Sequence, residues 1–174
     1  DFLAYNPMAL KDPFNLEIGD VDEFFVSPSG KYIGIINEKN FSLYEVANNS
    51  ATFLDSYELQ GNGLKASFSH DDKFIAIIQD ENPYFVLLQI NDNLLSLLEG
   101  YELDVPGNDV SFSYGGNYII VADTASRVHL LKIEENIISL TSSYILSGEV
   151  ESVSFAPDDE YIAVAHTQAP YFTF

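Results

Sequence analysis

Val26-Ser27-Pro28-Ser29-Gly30-Lys31-Tyr32-Ile33 is the first of four versions of one phrase. It returns as Phe68-Ser69-His70-Asp71-Asp72-Lys73-Phe74-Ile75, as Phe112-Ser113-Tyr114-Gly115-Gly116-Asn117-Tyr118-Ile119, and as Phe155-Ala156-Pro157-Asp158-Asp159-Glu160-Tyr161-Ile162. The aromatic anchors Tyr32, Phe74, Tyr118 and Tyr161 stand 42, 44 and 43 residues apart. A self-similar period in the low forties, with several extended runs in each unit, is the signature of propeller blades. The expected fold class is all-β: a β-propeller of four-stranded antiparallel blades, with four repeats in the chain.

Working outward from the phrase, each unit divides into four runs, a to d. The second is the clearest, with Leu64 to Ser69, Phe74 to Gln79, Tyr84 to Ile90 and Leu94 to Leu103. The a-to-b connections use Pro, Gly and Asp, which suit tight hairpins. The b runs, such as Phe74-Ile75-Ala76-Ile77-Ile78, are apolar at every position, as expected of a strand buried on both faces. Gly34, Ala76 and Ala163 would let neighbouring sheets approach closely there. Asn93 to Gly100 has helical Leu spacing, but the repeat register assigns it to strand d. The expected units span residues 21–60, 64–104, 108–147 and 151–174, the last of them partial.

Carried through both ends, the period puts Phe174 at the register of Leu87 and Asp1 at that of Leu88. Residues 1–16 are therefore expected to complete the last blade, with Leu10, Phe14 and Leu16 as its assembly strand. That strand can act in cis, closing a four-bladed ring, or in trans, giving an eight-bladed ring of two chains or a donor-strand fibre. A slice of a longer propeller is the remaining arrangement. Beginning at Asp1, without an initiator Met or a basic-then-apolar leader, the chain reads as a processed form or a piece of something longer.

Charge narrows the partners. The chain holds 27 acidic and 7 basic side chains, for a formal net charge of -20. A surface that tracks phosphates needs the opposite sign, so nucleic acid is not expected as a partner. No run approaches the ~18 consecutive apolar residues of a membrane span, so no membrane insertion is expected. The absence of cysteine removes disulfides and thiolate metal sites. Sequons at Asn40 and Asn48 mark positions for glycosylation should the chain be secreted in a eukaryote.

The turn phrases before aromatic-aliphatic b strands, at Phe25 to Tyr32, Ser67 to Phe74, Ser111 to Tyr118 and Ser154 to Tyr161, resemble those of the WD-repeat and WD-like β-propeller family. The resemblance covers nearly the whole chain. It departs from the family pattern in having no Trp, hence no Trp-Asp dipeptide, and no Gly-His pair before the a strands. The chain is thus more similar to divergent WD-like repeats of bacterial and phage surface proteins. That resemblance implies a protein-binding or structural scaffold, with a surface or virion location favoured over the cytoplasm.

The chemistry-bearing residues give no catalytic constellation. His70, His129 and His166 fall at three different places in the repeat, with no zinc spacing. His166 shares its register with Asn37, Gln79 and Asp123, which suggests loop hydrogen bonds. Asp71-Asp72 and Asp158-Asp159-Glu160 could gather a hard cation, but they sit in hairpin turns and read as turn residues. No cofactor motif is present, and neither a cofactor nor a resident metal is expected. Tyr84 and Tyr171, each following a Pro, are candidate contact aromatics for protein or sugar, with core packing as the alternative. The expected function is a noncatalytic scaffold that binds other proteins or itself. A self-assembling filament and a carbohydrate-binding or hydrolytic enzyme with an axial site are the alternatives.

Overall fold

The computed structural model describes residues 20–48, 50–98 and 101–173. Among them are fifteen strands and no helix. The first sheet contains β1 (Glu23–Val26), β2 (Tyr32–Asn37), β3 (Asn40–Ala47) and β4 (Ser50–Glu58). The second contains β5 (Gly63–Phe68), β6 (Phe74–Gln79), β7 (Phe85–Asn91) and β8 (Leu94–Leu98). The third contains β9 (Gly107–Phe112), β10 (Tyr118–Asp123), β11 (Arg127–Glu134) and β12 (Ile137–Ile145). The fourth contains β13 (Val150–Phe155), β14 (Ile162–His166) and β15 (Phe172–Thr173). Each sheet is an antiparallel meander whose strand order follows the chain.

The quoted phrase builds the β1–β2, β5–β6, β9–β10 and β13–β14 turns. In three of them a buried serine closes the hairpin: Ser27, Ser69 and Ser113 accept the anchor N–H of Tyr32, Phe74 and Tyr118 at 3.1, 2.9 and 3.1 Å. Ala156 replaces it in the fourth, where the backbone bond from Ala156 N to Tyr161 O remains. The residue two before each anchor is left-handed: Gly30 at φ 75, Asp72 at 57, Gly116 at 74 and Asp159 at 59. That requirement explains the Gly and Asp residues there.

The first strands β1, β5, β9 and β13 pack on one another in succession. Three apolar cores separate the sheets, and each of the two inner b strands, β6 and β10, serves two of them. In β6, Ile75 and Ile77 face the first sheet while Phe74, Ala76 and Ile78 face the third. In β10, Ile119 and Val121 face the second sheet, and Ile120 and Ala122 the fourth. The uninterrupted apolar b runs follow from this two-sided burial, and the architecture is propeller-like.

The register overrules helical spacing as expected, since Leu94–Leu98 is the strand β8. Strand d of the second unit is shorter than expected, with Tyr101 to Leu103 beyond it. Strand c of the fourth unit is the two-residue β15. Leu10, Phe14 and Leu16, with the rest of the expected assembly strand, lie outside the described residues.

Candidate functional site

The polar residue at the end of each b strand is a latch for neighbouring loops. Gln79, fully buried, accepts the N–H of Gln60 and Gly61 through Oε1 at 3.1 and 3.3 Å and donates to the Pro83 carbonyl. Asp123, also fully buried, takes four donors. Its Oδ1 accepts Ala125 N and Arg127 N at 2.8 and 3.0 Å, and its Oδ2 accepts Arg127 Nε and His129 Nε2 at 2.8 and 2.9 Å. The other ring nitrogen of His129, Nδ1, lies 2.9 Å from the Tyr101 hydroxyl, so the imidazole bridges Asp123 and Tyr101. Burial works against the charged carboxyl, but the His129 and Arg127 hydrogen bonds outweigh it and hold Asp123 below its ordinary 3.8. The Tyr–His–Asp order looks like a proton relay, yet these contacts are internal and tie the β10–β11 turn to the segment after β8. His166, likewise buried, meets the Thr173 hydroxyl at 3.1 Å.

The acidic turn pairs are brought to neighbouring turns and not to a common cation. Asp159 accepts Tyr114 N and Gly115 N of the third sheet's turn at 2.6 and 2.7 Å. Asp72 likewise accepts Ser27 and Ser29 of the first sheet's turn. Asp71 pairs with Lys73 at 2.8 Å, and Asp158 accepts Glu160 N at 3.1 Å. Among the described residues no group of three or more His, Asp or Glu is placed to hold a metal. The turn assignment made from sequence stands, but its inter-sheet latching role was not visible in sequence.

At one end of the inner strands the four turns meet around a hollow of about 330 Å³. It is lined by Pro28 from the first sheet, Phe68 and His70 from the second, Phe112 and Tyr114 from the third, and Phe155 and Pro157 from the fourth, among others. His70 stacks on the exposed Tyr114 with ring centroids 3.8 Å apart. No carboxylate lines this hollow. Tyr84 is half-buried and packs against the core between the second and third sheets. Tyr171 is exposed, with a left-handed φ of 63.

The two ends of the row of sheets carry the largest departure from repeat symmetry. Phe24 and Val26 are 66% and 57% exposed, whereas Phe68 and Phe112, at the register of Val26, are 6% and 8% exposed. Phe68 and Phe112 are covered by the preceding sheet. The matching face of the first sheet has none packed on it among the described residues: Phe53 is exposed beside Tyr44, with Ile33 half-buried and Ile35 buried. At the other end Tyr161 is 58% exposed where its equivalent Tyr32 is 5%. Ala163, Ala165, Ser152, Ser154 and Phe172 share that outward face by strand register.

No family model matches the chain, and no curated protein matches it. Among solved structures the chain is similar to the dihydro-heme d1 dehydrogenase NirN in complex with DHE. The TM-score is 0.65 and the identity 16%, over 84% of this chain and 32% of that one. The chain thus spans about a third of the length of that structure. In all, 1162 chains of solved structures match, so the likeness speaks for the fold and singles out no activity. Sheet topology and comparison together make this an all-β, propeller-like protein.

Proposed function

We propose that the chain is a noncatalytic interaction scaffold. In this reading the four sheets are four WD-like blades of a propeller, and its ends are surfaces for another protein. The observation that carries it is the pair of apolar end faces, centred on Phe24 and Val26 and on Tyr161. Contiguous exposed apolar area of this kind is characteristic of interaction sites, and here it occupies register positions that are buried or half-buried wherever two sheets meet.

The test is stability. If the first face exists for a partner, Phe24→Ser with Val26→Ser leaves the thermal midpoint of dilute protein within about 2 °C, as for substitutions away from a packed core. A fall of about 8 °C or more would mean that the face is covered within the folded chain, and the reading would fail.

One observation favours a second reading, carbohydrate binding at the axis: the stacked His70 and Tyr114 form an exposed aromatic ledge in the hollow where four turns meet. Titration with soluble oligosaccharides, followed by tyrosine fluorescence in the wild type and in Tyr114→Ala, decides it. Saturable quenching lost in the variant supports that reading, and a flat titration removes it.

A further inference from the structure

We infer that a second copy of this chain occupies the open faces, docked head to tail so that the first sheet of one copy packs on the fourth sheet of the other. This rests on the interaction reading above and names its partner.

The inference comes from how side-chain sizes are matched across the sheet junctions. At the first junction Phe68 lies over Gly34; a Cβ there would stand 3.3 Å from the Phe68 ring. The same register places Phe112 with Ala76 in the second core and Phe155 with Ile120 in the third. Continued once more, it places Val26 over Ala163, a small residue beneath an apolar one.

A second register pair is more telling because it changes along the chain. Gly63 faces Ile36 and Gly107 faces Ile78, each so closely that a Cβ would come within 2.7 Å of the isoleucine. At the third junction the sizes are exchanged: Val150 has replaced glycine, and Ala122, in the same core, has replaced isoleucine. The next pair in register is Val21 with Ala165, again valine with alanine. A Val21 set against an isoleucine would be overpacked. Each end face therefore carries the complement of the other, and among the described residues β13 does not pack on β1 as β5, β9 and β13 pack on their predecessors. Two such junctions relate a pair of chains by a closed two-fold ring.

The chain has no cysteine, so cross-linking reads the contact directly. Val26→Cys and Ala163→Cys are made in separate, differently tagged chains, mixed, and oxidised with copper–phenanthroline. The expected result is a mixed disulfide at least about tenfold above either same-variant disulfide, with Val21→Cys and Ala165→Cys giving the same pattern. Unchanged melting temperatures of the single variants establish that they are folded. Absence of the mixed product from both pairs, or equal amounts of all products, overturns the second-copy inference. If the serine variants described above are then still stability-neutral, the interaction reading survives with a different protein as partner.

Discussion

Val26 and Phe68 hold the same place in successive sheets, six residues before their aromatic anchors, yet Val26 is 57% exposed and Phe68 6%. Identical register with opposite burial follows the presence of a preceding sheet over Phe68 and its absence over Val26 among the described residues. Burying an apolar side chain of this size contributes about 1.5 to 3 kcal/mol. Phe24 and Val26, which no described sheet covers, therefore represent unrealised apolar burial among the described residues.

Association of the chain should strengthen with salt. Each copy carries a formal charge of -20, so docking opposes two like fields, while the contact itself is mainly apolar. Raising ionic strength from about 0.01 to 0.5 M shortens the screening length several-fold. The expected change is a roughly tenfold lower dissociation constant by sedimentation velocity, about 1.4 kcal/mol. Weaker association in salt would point to ion pairs as the main contacts.

The size exchange between junctions can be transplanted. Gly107→Val alone drives a side chain into Ile78 and should cost about 1 to 3 kcal/mol; Ile78→Ala alone leaves a cavity and should cost about 2 to 5 kcal/mol. Combined, they reproduce the Ala122 and Val150 arrangement. Urea unfolding of all four proteins should give a favourable coupling of at least about 1 kcal/mol. Additive losses would show that the two positions do not meet as described.

Asp159 should matter through its neighbour's turn. Asp159→Gly satisfies the left-handed backbone at φ 59 but loses the hydrogen bonds from Tyr114 N and Gly115 N. Thermal unfolding should show a net loss of about 1 to 2 kcal/mol. A neutral or stabilising result would mean that backbone strain, and not the latch, dominates at this turn.

The Asp123 latch gives a signed pH dependence. Its folded-state value lies below that of an unfolded aspartate, so the carboxylate adds stability above about pH 4, and that contribution is lost as pH falls through the folded value. Asp123→Asn leaves its buried donors poorly matched and should cost about 3 kcal/mol at pH 7. The gap between variant and wild type should narrow by pH 3 in urea titrations. A gap that stays constant across this range would exclude the carboxylate charge as its source.

The sheets were legible in sequence because a single period carried four turns and four b strands apolar on both faces. The turn phrase displayed its left-handed positions as Gly30, Asp72, Gly116 and Asp159. Less legible was the division of labour among polar residues. Ser27, Ser69 and Ser113 recur in three of four repeats, a signal sufficient to find the turn-closing hydroxyl. The partnership of Asp159 with Tyr114 and Gly115, by contrast, depends on how adjacent sheets are staggered, which no local pattern encodes. Tyr84 illustrates the same limit: Pro-Tyr at a strand start suits an exposed platform or a core contact equally, and its placement at the second core follows from inter-sheet packing. The end faces are not legible in sequence, because Val21, Phe24 and Val26 are as apolar as core residues and only the packing of the sheets leaves them exposed.

Multi-angle light scattering of the purified chain over a range of concentrations tests the central claim, that a second copy docks on the end faces, most directly. The account predicts a mass rising from 19.4 kDa to a plateau at twice that value, with Val26→Asp held at the monomer mass. A wild-type mass of 19.4 kDa at every concentration and salt level would contradict it.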